Sequence, residues 1–189
     1  MGKSMIEGDQ KHLLRIARKA LVASVQGNPL PLLNHDNLPA VLLKKGASFV
    51  TLTINNRLRG CIGTLEAYQP LAKDVQEHAV AAALQDFRFP KVQPSELPNI
   101  EIEISVLSPR IPLKYESPEE LIQNLRPGTD GVVLQDGFRK ATFLPQVWEK
   151  LPNPEEFLSQ LCRKMGAPGD LWRKKSPSIS IYQVQKFHE

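Results

Sequence analysis

Cysteine is scarce in this chain of 189 residues. The two present, Cys61 and Cys162, are far apart and have no companions. That excludes a disulfide framework and a cysteine zinc site, and leaves two free thiols as the expectation. No apolar run approaches membrane-spanning length, and Met1 to Asp9 lacks the basic start and apolar stretch of a secretion signal. The expected setting is therefore the cytoplasm, away from any membrane. Also missing are a G-x-x-x-x-G-K-Ser/Thr phosphate loop and a G-x-G-x-x-G following a strand. The four histidines, His12, His35, His78 and His188, show no H-E-x-x-H or paired-ligand spacing, so no metal site and no cofactor is expected. The net charge of +4 is mild and sits in small separated groups, among them Arg15, Arg18 and Lys19, and Arg173, Lys174 and Lys175. Without a basic stripe interleaved with aromatics, nucleic-acid binding is not expected.

What is present alternates in clear periods. Leu13, Leu14, Ile16, Ala17, Ala20 and Leu21 mark the apolar face of a helix that Asp9 can cap and Gly27 can stop. Asn28 to Pro39 has no periodicity and reads as a long connection. Ser48 to Ile54 alternates as a strand, Asn55-Asn56 suits a two-residue turn, and a second strand follows. Pro70 opens a helix to about Leu84 whose inner alanines allow close packing on a sheet. Ile100, Ile102, Ile104 and Val106 alternate with polar residues in a further strand. Ser117 and Asn153 cap short helices, and Asp136-Gly137 predicts a hairpin between Gly131 to Gln135 and Phe138 to Leu144. One last strand is expected from Ile179 to Phe187. Strands grouped as hairpins with helices before, between and after them indicate an α+β fold, a mainly antiparallel sheet flanked by helices.

The most particular stretch is Arg57-Leu-Arg-Gly-Cys-Ile-Gly-Thr64, a cysteine between glycines after two arginines. A two-residue turn at Asn55-Asn56 places Leu52 opposite Arg59 and Val50 opposite Cys61, with Arg59 and Cys61 on one face. Arg59 is then placed to stabilise a Cys61 thiolate, helped by the dipole of the Pro70 helix if that points at the site. His35 and His78 are the plausible bases. The competing reading is packing, because Cys61 shares its expected face with Val50, Leu52 and Ile54. Asp86 and Arg88 read equally as a surface pair or as an anion grip with Arg59, with Glu103 or Ser105 nearby. Cys162, beside the apolar stripe of the Asn153 helix, reads as core.

Together these residues resemble the AMMECR-one domain family, also called AmmeMemoRadiSam system protein A. The resemblance rests on Leu58-Arg-Gly-Cys-Ile-Gly-Thr64, Phe87-Arg-Phe-Pro-Lys-Val92, Glu103-Ile-Ser-Val-Leu107, Asp130-Gly-Val-Val-Leu-Gln135, Thr142-Phe-Leu-Pro-Gln-Val147 and the helix from Glu155 to Gly166. It covers most of the chain. It implies a single domain with a larger and a smaller subdomain and a groove between them. It also implies a Memo-like protein and a radical S-adenosylmethionine protein as partners, and a functional site at Arg59, Gly60, Cys61, Ile62, Gly63 and Thr64. With Asp86, Arg88 and Glu103 added, that site is expected to hold a partner or a small anionic ligand, or to act through Cys61 as nucleophile or covalent carrier assisted by Arg59. The chain departs from the family pattern at Phe87, where proline is common, and at Met165, where alanine is common.

Overall fold

The computed structural model describes residues 5–189, the His35 side chain excepted. The chain forms two compact units. One runs through Leu107 and takes in Gln185–Glu189, and the other is Ser108–Val184. In the first lie α1 (Glu7–Val25), α2 (Ala40–Leu43), β1 (Lys45–Ile54), β2 (Arg57–Gly63), β3 (Gln69–Pro70), α3 (Leu71–Leu84) and β4 (Ile100–Leu107). In the second lie β5 (Ile111–Pro112), α4 (Pro118–Asn124), β6 (Gly131–Asp136), β7 (Arg139–Phe143), α5 (Pro154–Lys164), α6 (Leu171–Lys174) and β8 (Ser178–Tyr182). The closing strand β9 (Val184–His188) joins the first sheet, whose order is β2-β1-β4-β9 with β3 on β1; the second sheet is ordered β5-β8-β6-β7. β1 runs antiparallel to β2 and β4, and β6 to β7 and β8. The fold is α+β with antiparallel sheets flanked by helices, as the patterning indicates.

Alternation explains the first core. Val50, Leu52, Ile100, Ile102 and Ile104 point to one side of their sheet and pack with Leu13, Ala17 and Leu21 of α1 and Val75, Ala79 and Ala82 of α3. Removing each large aliphatic side chain from water contributes about 1.5–3 kcal/mol, and the alanines let α3 come close. The opposite side carries Thr51, Thr53, Glu101 and Glu103, all at least partly exposed. In the second unit, Trp148 stacks on Phe157 with ring centroids 3.6 Å apart, and Phe143 meets Phe157 edge-on. Cys162 is fully buried there, as expected, and burial raises its thiol pKa.

Three boundaries differ from the sequence reading. α1 begins at Glu7, because the Ile6 carbonyl accepts the Asp9 and Gln10 amides; Asp9 sits in the first turn, where its charge favours the helix dipole, and is not the cap. The second hairpin turns on Gly137-Phe138, since Asp136 pairs with Arg139 and Gly137 takes φ +60° as the first turn residue. The last strand is two strands. The Gln183 amide donates to Ser108 Oγ at 2.9 Å and its carbonyl accepts from Ser108 N at 2.8 Å, which ends β8 before β9 begins.

Candidate functional site

The β1–β2 turn is the one the two asparagines imply, with φ of 51° at Asn55 and 60° at Asn56. The register beyond it is not. Ile54 faces Arg57 and Thr53 faces Leu58, but then Leu52 faces Gly60, Thr51 faces Cys61 and Val50 faces Ile62. Arg59 is the extra residue of a β-bulge. Gly60 explains the shift, because a Cβ there would lie 2.1 Å from the Ala82 carbonyl oxygen of α3. Only glycine fits that close approach, and the bulge delivers it to the helix side. Cys61 is thereby turned away from Val50 and Leu52 and onto the polar side of the sheet.

Cys61 is partly exposed, and the Thr51 hydroxyl donates to its sulfur at 3.3 Å. Glu103 stands opposite Thr51 on β4, completing a row across three strands. At about 4.8 Å per strand, Glu103 is roughly 10 Å from Cys61 along that row. Glu103 approaches Lys186 at 4.0 Å instead. Ser105 is buried two pairs further along, opposite Phe49.

Arg59 does not serve the thiol. Its guanidinium grips Glu96 with two bonds, Nε to Oε1 at 2.7 Å and Nη2 to Oε2 at 3.0 Å. Glu96 also accepts the Gln93 amide at 2.8 Å, closing a capping box on the turn that follows Gln93. Arg59, and secondarily that amide, hold the Glu96 carboxyl below its usual pKa. Arg59 Nη1 remains buried without a hydrogen-bond partner among the described residues.

Asp86 and Arg88 are neither a surface pair nor an open grip. β2 is an edge strand, and its unpaired groups at Cys61 meet this pair: Asp86 Oδ2 accepts the Cys61 amide at 2.9 Å, and Arg88 Nη2 donates to the Cys61 carbonyl at 3.2 Å. The two side chains stand in for a neighbouring strand, which protects the edge. Arg88 bonds back to Asp86 through Nε at 2.9 Å and Nη2 at 2.7 Å. Arg88 chiefly, with the Cys61 amide, holds the buried Asp86 carboxyl far below the usual carboxylate range. Phe87, at the tip of this turn, is 95% exposed.

Thr64 Oγ accepts the Glu66 amide at 3.1 Å and the Thr64 amide bonds to the Ser48 carbonyl at 3.0 Å. Gly63 lies under the Phe49 ring, where a Cβ would come within 2.3 Å of it. The glycines of the segment thus receive a helix backbone and an aromatic ring. The helix dipole does not assist Cys61. Gly60 meets Ala82, near the C-terminal end of α3, and the N-terminus is roughly 16 Å up the axis at 1.5 Å per residue. His78 lies on α3 beside Asp74, and it lines a cleft together with Ile62, whose side chain leaves β2 on the opposite face from Cys61. The His35 side chain lies outside the described residues.

Sequence reasoning missed Glu96 and the buried polar set around Asp74. The Gln93-Pro-Ser-Glu96 capping pattern was the available signal for the first. For the second it was Asp74 and His78, four apart on the inner face of a helix otherwise lined by Leu71, Val75 and Ala79.

Residues 14–187 match the family model AMMECR1. A protein of Methanothermobacter thermautotrophicus is 39% identical over 94% of this chain and 92% of its own length. One of Methanopyrus kandleri is 35% identical over 100% of this chain and 92% of its own. The crystal structure of an uncharacterised protein from Pyrococcus horikoshii superposes with a TM-score of 0.81 at 30% identity, covering 98% of this chain and 93% of that one.

Proposed function

The chain belongs to the AMMECR1 family, and from that premise we propose that it is a cytoplasmic binding and accessory module whose Arg59–Thr64 segment receives a partner. The partners are a Memo-like protein and a radical S-adenosylmethionine protein. One observation carries the reading: Arg59 is fixed on Glu96 with its Nη1 buried and unpartnered. An orphaned buried donor costs about 1–3 kcal/mol, which a carboxylate or carbonyl oxygen from a partner would offset once docking shifts the cover over Nη1 and brings it within reach. The charged groups that meet the segment from outside it, Asp86 and Arg88, are committed to each other and to the β2 edge. Calorimetry with the two purified partner proteins tests the proposal. Arg59→Lys keeps the charge facing Glu96 but removes the fork, and it should weaken binding about tenfold, the worth of one good hydrogen bond to a charged group. Absence of binding by the wild-type protein to either partner would sink the reading.

A second reading, Cys61 as nucleophile or transient covalent carrier, is favoured by the partial exposure of Cys61 and by Arg88, whose guanidinium is bonded to the Cys61 carbonyl. In this reading Arg88 takes the assisting part first assigned to Arg59.

A further inference from the structure

On the helix side of β2, a cleft of about 420 Å³ opens along α3. Leu30, Ile62 and Val80 give it an apolar wall, and Tyr68, Glu77 and His78 face it with polar groups. Behind the lining residue His78 stands Asp74, which is fully buried and does not itself line the cleft. Asp74 Oδ2 accepts the Ser48 amide at 2.9 Å and the Ser48 hydroxyl at 2.6 Å, so the carboxylate is fixed. His78 is 8% exposed. Its Nδ1 lies 3.2 Å from Asp74 Oδ2, yet it is not aligned for a hydrogen bond and has no other partner among the described residues. With Nδ1 on the Asp74 side, Nε2 is the ring nitrogen left to other partners, and it accepts when the ring is neutral. Gln69 Nε2 donates to Glu77 Oε2 at 2.7 Å and to Tyr68 Oη at 3.0 Å, holding both acceptors in place.

The sign of the charge is one-sided. Glu77 lines the cleft, Asp74 stands 3.2 Å behind His78, and among the described residues no lysine or arginine lines the cleft. Lys73 reaches Glu77 Oε1 only at 3.7 Å, with more than half of its own side chain in solvent. Tyr68 is 55% exposed, and its phenol is pushed above its ordinary pKa by slight desolvation and by the charges of Asp74 and Glu77, consistent with a negative local field. A carboxylate or phosphate ligand would meet repulsion there. A cation would meet preorganised acceptors beside a hydrocarbon wall.

We propose that this cleft binds a small cationic ligand, an amine or amidinium carried on an apolar body. The head sits against Glu77 and His78 Nε2, and the body lies on Ile62, Val80 and Leu30. The site is separate from the partner-binding reading above, which rests on Arg59. Benzylamine and benzoate, alike in size and opposite in charge, are the probes, titrated into the whole folded chain with methyl and amide NMR detection. Benzylamine should shift Ile62 and Val80 saturably in the millimolar range, and benzoate should not. Glu77→Gln, a change at an exposed position that keeps the acceptor for Gln69, should weaken benzylamine about tenfold. Absence of a saturable benzylamine shift, equal binding of benzoate, or unchanged affinity in E77Q would each overturn the proposal.

Discussion

The two compact units bury different chemistry. The first carries Ser48, Gln69, Asp74, Gln76, His78, Asp86 and Ser105 out of solvent, among alanines and aliphatic residues. The second fills its interior with Trp148, Phe157 and Trp172, and the buried polar group recorded there is Asp130. Asp130 is fully satisfied, accepting from Arg126 through three nitrogens, while its carbonyl takes the Trp148 indole at 2.7 Å. Buried polar groups cost free energy unless paired, so a region that holds many of them, with Arg59 Nη1 and His78 Nδ1 left unpartnered, is not arranged for stability alone. Stability rests more simply on the aromatic core of the second unit, while the unpartnered buried polar atoms found among the described residues lie in the first.

The largest effect should come from the second unit. Phe157→Ala removes the ring that stacks on Trp148 and meets Phe143, and the cavity left behind should lower stability by about 3–5 kcal/mol in urea unfolding. A loss below about 1 kcal/mol would mean that the aromatic stack is not what holds this unit.

An intermediate effect is expected where the first unit pairs its charges. Asp86→Asn keeps the shape and one acceptor but gives up the charge facing Arg88, and should cost about 1.5–3 kcal/mol near neutral pH. The folded Asp86 pKa is depressed, so its contribution is complete above the unfolded value of about 4 and is lost as pH falls toward the folded value. Wild type should therefore lose more stability than D86N between roughly pH 4 and pH 2. Parallel acid-unfolding curves for the two proteins would show that the pair does not brace the β2 edge.

How much of this was legible beforehand follows from the range of each interaction. Period-two and helical alternation are local, and they placed β1, β4, α1 and α3 to within a few residues. The Asn55-Asn56 turn was equally local. The register of β2 was not, because it depends on Gly60 meeting the Ala82 carbonyl, a contact across 22 residues of chain that no pattern within the hairpin encodes. Once the bulge moved Cys61 one position, every cross-strand partner inferred beyond Leu58 moved with it. Of the residues expected at one site with this segment, Asp86 and Arg88 close on Cys61, whereas Arg59 turns to Glu96. Their employment differs, because Glu96 takes Arg59 and the free strand edge takes the other two. Glu103 shares the face of Cys61 but not its surroundings, and His78 belongs to the opposite side of β2.

The smallest effect in energy is the sharpest in meaning, and it sets one thiol against the other. Cys162 is fully buried with its pKa raised, so iodoacetamide should reach it only on unfolding. Cys61 is partly exposed and should alkylate in the native state. Cys61→Ser keeps a partner for the Thr51 hydroxyl and, away from the core, should change stability by no more than about 0.5 kcal/mol. The pH dependence of Cys61 alkylation then separates the two readings of the segment. A thiol that reacts well below the free value of about 8.5 would support the covalent reading with Arg88 as its assisting charge. One titrating near that value would leave Cys61 as part of a docking face, its backbone braced by Asp86 and Arg88 and its sulfur no more reactive than an ordinary surface thiol.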